Sequence, residues 1–151
     1  MIWEEFKDSA PEMADIGRER FERTGLVLVG TLRKNGYPRI SPVEPLFVGG
    51  HLYLGMMWNS KKAQDHLRDP RCTVHNTVGN RDGSEGEFKV YGRAIPILDL
   101  EQRARYGNAV YVNTQWRPTE PEFHLFSVDI DSVGIVAFND EDMITRVWTP
   151  D

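Results

Sequence analysis

Read for the spacing of its apolar residues, the chain divides into three helical segments and seven or eight short strands. Met13, Ile16 and Phe21 fall roughly on one helical face within residues 1–24, with charged residues between them. Ser9-Ala-Pro-Glu12 has the form of a capping box, Pro11 suits a first turn, and Gly25 is a plausible stop. Leu26 to Thr31 (LVLVGT) predicts a well-buried strand. Lys34-Asn35-Gly36 predicts a type I′ hairpin turn into a return strand from Pro38 to Val48. Gly49-Gly50 turns the chain again into a third strand, His51 to Met57, which makes an antiparallel meander. Ser60 reads as the N-cap of a short helix from about Lys61 to Arg68, ended by Asp69-Pro70.

Arg71 to Val78 predicts a fourth strand, Gly79 to Gly86 a polar glycine-rich loop, and Glu87 to Leu98 a fifth strand. Asp99 caps a helix from about Leu100 to Val110, with Gln102 at the box position. Residues 111–121 carry no clear pattern. Glu122 to Asp131 and Val133 to Phe138 read as two further strands, Asn139-Asp140 as a turn, and Met143 to Thr149 as the last strand. So many strands in 151 residues suit a barrel, which removes exposed edges, better than a flat open sheet.

Composition narrows the possible roles. The length predicts a single domain, and 40% hydrophobic residues mark it as globular. A net charge of -5 argues against a nucleic-acid partner. Cys72 is the only cysteine, so no internal disulfide can form, which fits a cytoplasmic setting. No stretch approaches the roughly 20 apolar residues of a membrane span, and the acidic start broken by Pro11 is unlike a signal peptide. Cys72 and His75 point to opposite faces of a strand, and neither His51, His66 nor His124 sits in a metal-binding motif, so no metal site is expected. Cys72 reads as a buried structural thiol rather than a nucleophile. Trp58, Tyr91, Tyr106, Tyr111 and Trp116 are compatible with core, interface or a ring-stacking wall.

Two features in the central stretch carry candidate chemistry. The strand from Pro38 to Val48 holds Pro38, Pro42 and Pro45, each without a backbone donor, so it cannot be paired on both sides throughout. Alternation puts Arg39, Ser41, Val43 and Phe47 on one face and Ile40, Glu44 and Leu46 on the other. Either this is an ordinary edge strand with a solvated arginine, or its free backbone groups meet a flat ligand. The second feature is the helix start at Ser60. Lys61 and Lys62 oppose the helix dipole there, at a cost of a few tenths of a kcal/mol that a bound phosphate would offset. The alternative is two lysines extended into water.

These residues carry a resemblance. From Gly25 to Leu98 the chain resembles the pyridoxamine 5′-phosphate oxidase-related family of FMN-binding split β-barrels, especially its short actinobacterial-type members. The resemblance rests on GLVLVGTLRKNGYPRISPVEP, LYLGMMWNSKKAQDHLRDPRC and GEFKVYGRA, with WEEFKDSAPEMADIGRERF and FHLFSVDI adding to it. It implies a mainly β, six-stranded antiparallel split barrel with short flanking helices, residues 1–24 packing on the barrel. It also implies a homodimer with two flavin sites at the subunit interface. Arg39, Ile40, Ser41, Pro42 and Val43 would run along the flavin. Ser60 and Lys62 would hold its phosphate with Lys61 between them, and Met56, Met57 and Trp58 would lie beside them. Trp148 would approach the flavin of the other subunit. The expected activity is a flavin-dependent oxidoreductase acting on a small molecule, with no side chain identified as catalytic. Family members with the named oxidase activity carry a C-terminal extension that helps bind the substrate phosphate, and the sequence ends at Asp151 without one. A reductase using the deazaflavin F420 on the same barrel, and a non-catalytic flavin or haem carrier, remain alternatives.

Overall fold

The computed structural model describes residues 1–139 and 142–151, so Asp140 of the expected Asn139-Asp140 turn lies outside the described residues. Among the described residues, eight strands and four helices follow one another. The strands are β1 (Val27–Leu32), β2 (Pro38–Val43), β3 (Pro45–Val48), β4 (His51–Met57), β5 (Arg71–Asn76), β6 (Glu87–Pro96), β7 (Phe123–Asn139) and β8 (Asp142–Trp148). The helices are α1 (Trp3–Ser9), α2 (Pro11–Glu22), α3 (Lys61–Arg68) and α4 (Leu100–Thr114).

All strand pairs are antiparallel, in the order β2-β1-β5-β6-β7-β4-β3, with β8 added to β7. The two ends of that order are consecutive in sequence. β2 pairs with β1, the chain breaks at Glu44, and β3 pairs with β4. The proline-rich stretch is therefore one strand that changes partners and closes the barrel. Each half is paired on one side only, which is where prolines without a donor are tolerated. Counting β2 and β3 as one strand gives the expected six-stranded barrel, with β8 as an extension.

Four local expectations are corrected. Residues 1–24 form two helices rather than one, because the chain breaks at Ala10 and Pro11 begins the second. Ser9 is not a cap: its hydroxyl donates back to the Phe6 carbonyl at 3.2 Å. The Lys34-Asn35-Gly36 hairpin is not type I′, since only Gly36 has a positive φ (84°). There the Gly36 amide donates to the Arg33 carbonyl at 2.8 Å, a tight turn followed by a left-handed glycine. The type I′ pair is Gly49-Gly50, at φ 59° and 81°. Finally, the polar Asp131-Ser132 step does not break β7. Tyr91 faces Ser132 and Gly92 faces Ile130, so Asp131 is an extra residue absorbed as a bulge. Gly92 permits this, because a Cβ there would lie 2.2 Å from the Asp129 carbonyl oxygen.

One core fills the barrel and extends beneath the N-terminal helices. Phe88, Val90, Val27, Val29, Val74, Leu52, Leu54, Phe126, Val128 and Ile130 come from the strands, and Trp3, Phe6, Met13 and Phe21 from α1 and α2. Phe21 meets Phe88 edge-on at 5.2 Å. Cys72 is buried and its thiol is pushed up to about 12, mainly by burial, which makes it unreactive. A smaller cluster of Tyr53, Ile97, Tyr106, Phe123 and Leu125 joins α4 to the ends of β4 and β7. Asp99 caps α4 as expected, accepting from the Gln102 amide at 2.8 Å. Among the described residues no helix is long and apolar enough to cross a membrane.

Candidate functional site

Helix periodicity decides which residues of α3 face the barrel edge. Lys61, Gln64, Asp65 and Arg68 recur at helical spacing and share one side. That side faces the β1–β2 hairpin, and between them lies an open cleft of about 700 Å³. The hairpin contributes Arg33, Lys34, Asn35 and Arg39 to its lining. Five cations therefore meet one carboxylate, Asp65.

Asp65 organises this cleft from below and is only 3% exposed. Its carboxylate accepts from Thr31 Oγ1 at 2.7 Å, Arg39 Nε at 2.7 Å and Arg68 Nη2 at 3.0 Å. Burial alone would raise its pKa, but the hydrogen bonds from Arg39, Thr31 and Arg68 hold it below the usual carboxylate range. Arg68 also donates to the Leu32 carbonyl. Asp65 thus joins β1, β2 and α3 while fixing two arginines at the cleft.

The helix start itself suits an anion. Ser60 takes the extended N-cap conformation but makes no side-chain cap bond, and the first turn of α3 has no acidic residue. Its hydroxyl oxygen is buried without a partner among the described residues. A buried unpaired polar atom beside uncapped helix amides and a cationic cleft fits a phosphate group.

The sequence-predicted residues divide between surroundings. Arg39 and Lys61 line the cationic cleft. Lys62 does not: one helical step turns it off the face that Lys61, Gln64, Asp65 and Arg68 share. On β2, Arg39 and Ser41 are half-buried and Val43 is buried, whereas Ile40 and Pro42 are exposed on the other face. Met56, Met57 and Trp58 line a second cavity, of about 670 Å³, on the far side of the β4 end. Trp148 packs on the core, edge-on to Phe6 at 4.8 Å. Arg33, Lys34, Asn35, Gln64 and Asp65 were not singled out from sequence as site residues. The signal for Gln64 and Asp65 was present in the i, i+3, i+4 spacing from Lys61. That for the hairpin residues was not, since nothing local says that a turn folds back onto a helix 26 or more residues on.

No protein-family model matches the chain, and no curated protein matches it. Solved structures do. A haem binding protein from Mycobacterium smegmatis superimposes with a TM-score of 0.65 at 16% identity, covering 87% of this chain and 57% of that one. The chain thus spans little more than half the length of that protein. A provisionally named pyridoxamine 5′-phosphate oxidase from Listeria innocua gives a TM-score of 0.66 at 16% identity, covering 80% of this chain and 95% of that one. A protein related to general stress protein 26, of the pyridoxinephosphate oxidase family, from Clostridium acetobutylicum gives 0.63 at 14% identity, covering 95% and 94%. With the strand order, the closure through residues 38–48 and these superpositions, the chain has the split β-barrel fold of the pyridoxamine 5′-phosphate oxidase-like proteins.

Proposed function

We propose that the protein binds FMN and acts as a flavin-dependent oxidoreductase on a small molecule. The observation that supports this most is the cationic cleft between α3 and the β1–β2 hairpin, five cations along a helix face that runs from Lys61 in the first turn to Arg68 in the last, with an unpaired serine hydroxyl at the helix start. A phosphate monoester carries up to two negative charges at neutral pH and accepts several hydrogen bonds. In this reading Lys61, Arg33 and Arg68 neutralise it, and Arg39 lies at the cleft with its Nε held by Asp65. The ring would lie along the exposed side of β2, over Ile40 and Pro42, where the free edge offers backbone groups. When bound, FMN supplies the hydride and one-electron chemistry, and the chain contributes position and electrostatics. Ile40 is 72% exposed. That apolar surface at the proposed ring seat supports its closure by a second copy of the chain.

The test is a fluorescence titration of FMN into wild-type protein and variants. Lys61→Ala combined with Arg33→Ala, neither in the Asp65 network, is expected to weaken FMN binding at least about tenfold, since each charged contact is worth roughly 1.5–3 kcal/mol. Lys62→Ala, the position implied by family resemblance, is expected to weaken it less. Equal affinity in wild type and the double variant would remove the phosphate from this cleft. Sedimentation of the FMN-loaded protein should give twice the 17.4 kDa chain mass, and a loaded monomer would remove the second copy from the site.

A further inference from the structure

The second cavity has a chemistry opposite to that of the cleft. Its walls are apolar and aromatic, built from Met56, Met57, Trp58, Tyr106, Trp116 and Phe123. Its polar charged residues are two carboxylates, Glu44 at the β2–β3 break and Glu122 before β7. Neither forms an ion pair among the described residues. The nearby arginines of the same segment are engaged elsewhere: Arg103 binds Glu120 at 2.9 Å and Arg117 binds Asn108.

Several features indicate a formed pocket rather than an accidental gap. Tyr106 is buried, at 8% exposed. It fits against the β4 end because residue 55 is glycine, where a Cβ would lie 2.0 Å from the Tyr106 oxygen. The non-glycine residues with positive φ adjoin the two tryptophans: Asn59 (56°) follows Trp58 and Gln115 (61°) precedes Trp116. Left-handed backbone at non-glycine residues is uncommon and is retained where the surroundings demand it. Trp58 is further fixed by stacking on His124, at 4.5 Å and 11° between planes. The Asn59 amide donates to His124 Nε2 at 3.2 Å, which keeps that ring in the tautomer protonated at Nδ1.

A volume of about 670 Å³ lies within the range that holds drug-sized ligands. Tryptophan and tyrosine faces attract cations, and the two carboxylates, both exposed, add an attraction that salt screens. We propose that this cavity binds a planar aromatic cation, held against the aromatic wall and oriented by Glu44 and Glu122. The site stands without FMN. Only a role as a substrate pocket rests on the flavin reading.

The probe is N-methylquinolinium, with uncharged quinoline as its isostere, titrated by quenching of tryptophan fluorescence in cofactor-free protein at pH 7.5. Wild type is expected to prefer the cation by about tenfold or more, the size of one good cation–π or ion-pair contact. Glu44→Gln combined with Glu122→Gln should reduce the preference severalfold, leaving the part due to the aromatic faces, and leave quinoline affinity unchanged. Equal binding of the two probes, no binding of either at millimolar concentration, or an undiminished preference in the double variant would each overturn the proposal. Repeating the titration with saturating FMN separates the two sites. Retained cation binding is expected, and displacement by FMN would show that the cavity is the flavin ring's own seat. If FMN fails to bind at all, the result in cofactor-free protein still decides the proposal.

Discussion

Asp65→Ala is expected to destabilise the protein by about 2–4 kcal/mol, seen as a fall in the urea midpoint with an unchanged slope. Removing one member of a buried ionic cluster leaves its partners without the charge that offset their desolvation. Here the carboxylate side chain is 4% exposed, and its loss strands Arg39, at 29% side-chain exposure, and the Thr31 hydroxyl. Arg68 is 38% exposed and recovers water readily, which keeps the figure below that of a wholly buried triad. Asp65→Asn retains an acceptor for Thr31 and should cost about half as much. The cluster also ties β1 and β2 to α3, which shares no backbone ladder with them, so the loss should loosen α3 first. Hydrogen exchange of the α3 amides should rise before that of β6 and β7. A loss below about 1 kcal/mol would mean that the cluster contributes geometry rather than stability.

His66→Leu is expected to produce the opposite effect, most clearly in acid. His66 is 2% exposed, tilts against Phe126 at 5.1 Å, and neither ring nitrogen has a partner among the described residues. Burial lowers its pKa from 6.5 to about 4, against a smaller upward pull from Asp65. Above pH 6.5 neither the folded nor the unfolded chain protonates this ring, and its contribution is constant. Between about 6.5 and 4 the unfolded chain takes up a proton that the fold refuses. Stability therefore falls with pH by about 1.4 kcal/mol per unit, or about 3 kcal/mol across the window. Leucine has a similar volume and no proton to bind. The variant should at least match wild type at pH 7.5, because two unsatisfied nitrogens are gone. It should exceed wild type by an additional 2–3 kcal/mol or so at pH 4.5. Parallel pH dependence in the two proteins would show that another group controls acid unfolding.

Both residues lie on α3, and the sequence announced the helix without announcing them. Ser60, the span to Arg68 and the Asp69-Pro70 stop were legible because caps and prolines act locally. So was the barrel, because turn glycines and alternating strands recur along the whole chain. What local pattern could not convey was partnership. Arg39 read either as a solvated arginine or as part of a strand along a flavin, yet its Nε is taken by a carboxylate 26 residues away. Lys62 and Lys61 were indistinguishable in a run of two, and only the rotation of the helix against the hairpin separated them. The three prolines of residues 38–48 correctly signalled unpaired backbone. That the same strand closes the barrel by changing partners at Glu44 depends on pairings with β1 and β4 that no short window contains. Asp131 read as a strand end because a polar pair interrupts the alternation, whereas the long β7 accommodates it as a bulge opposite Gly92.

The central claim, that the cationic cleft at α3 seats the phosphate of a flavin, is tested most directly by comparing two ligands that differ only in that group. FMN and riboflavin should be titrated into cofactor-free protein at low ionic strength and again at high salt, following flavin fluorescence. FMN is expected to bind about a hundredfold tighter than riboflavin, as two charge-assisted contacts imply, with the difference shrinking as salt is added. The same affinity for both flavins, or binding of neither, would contradict it.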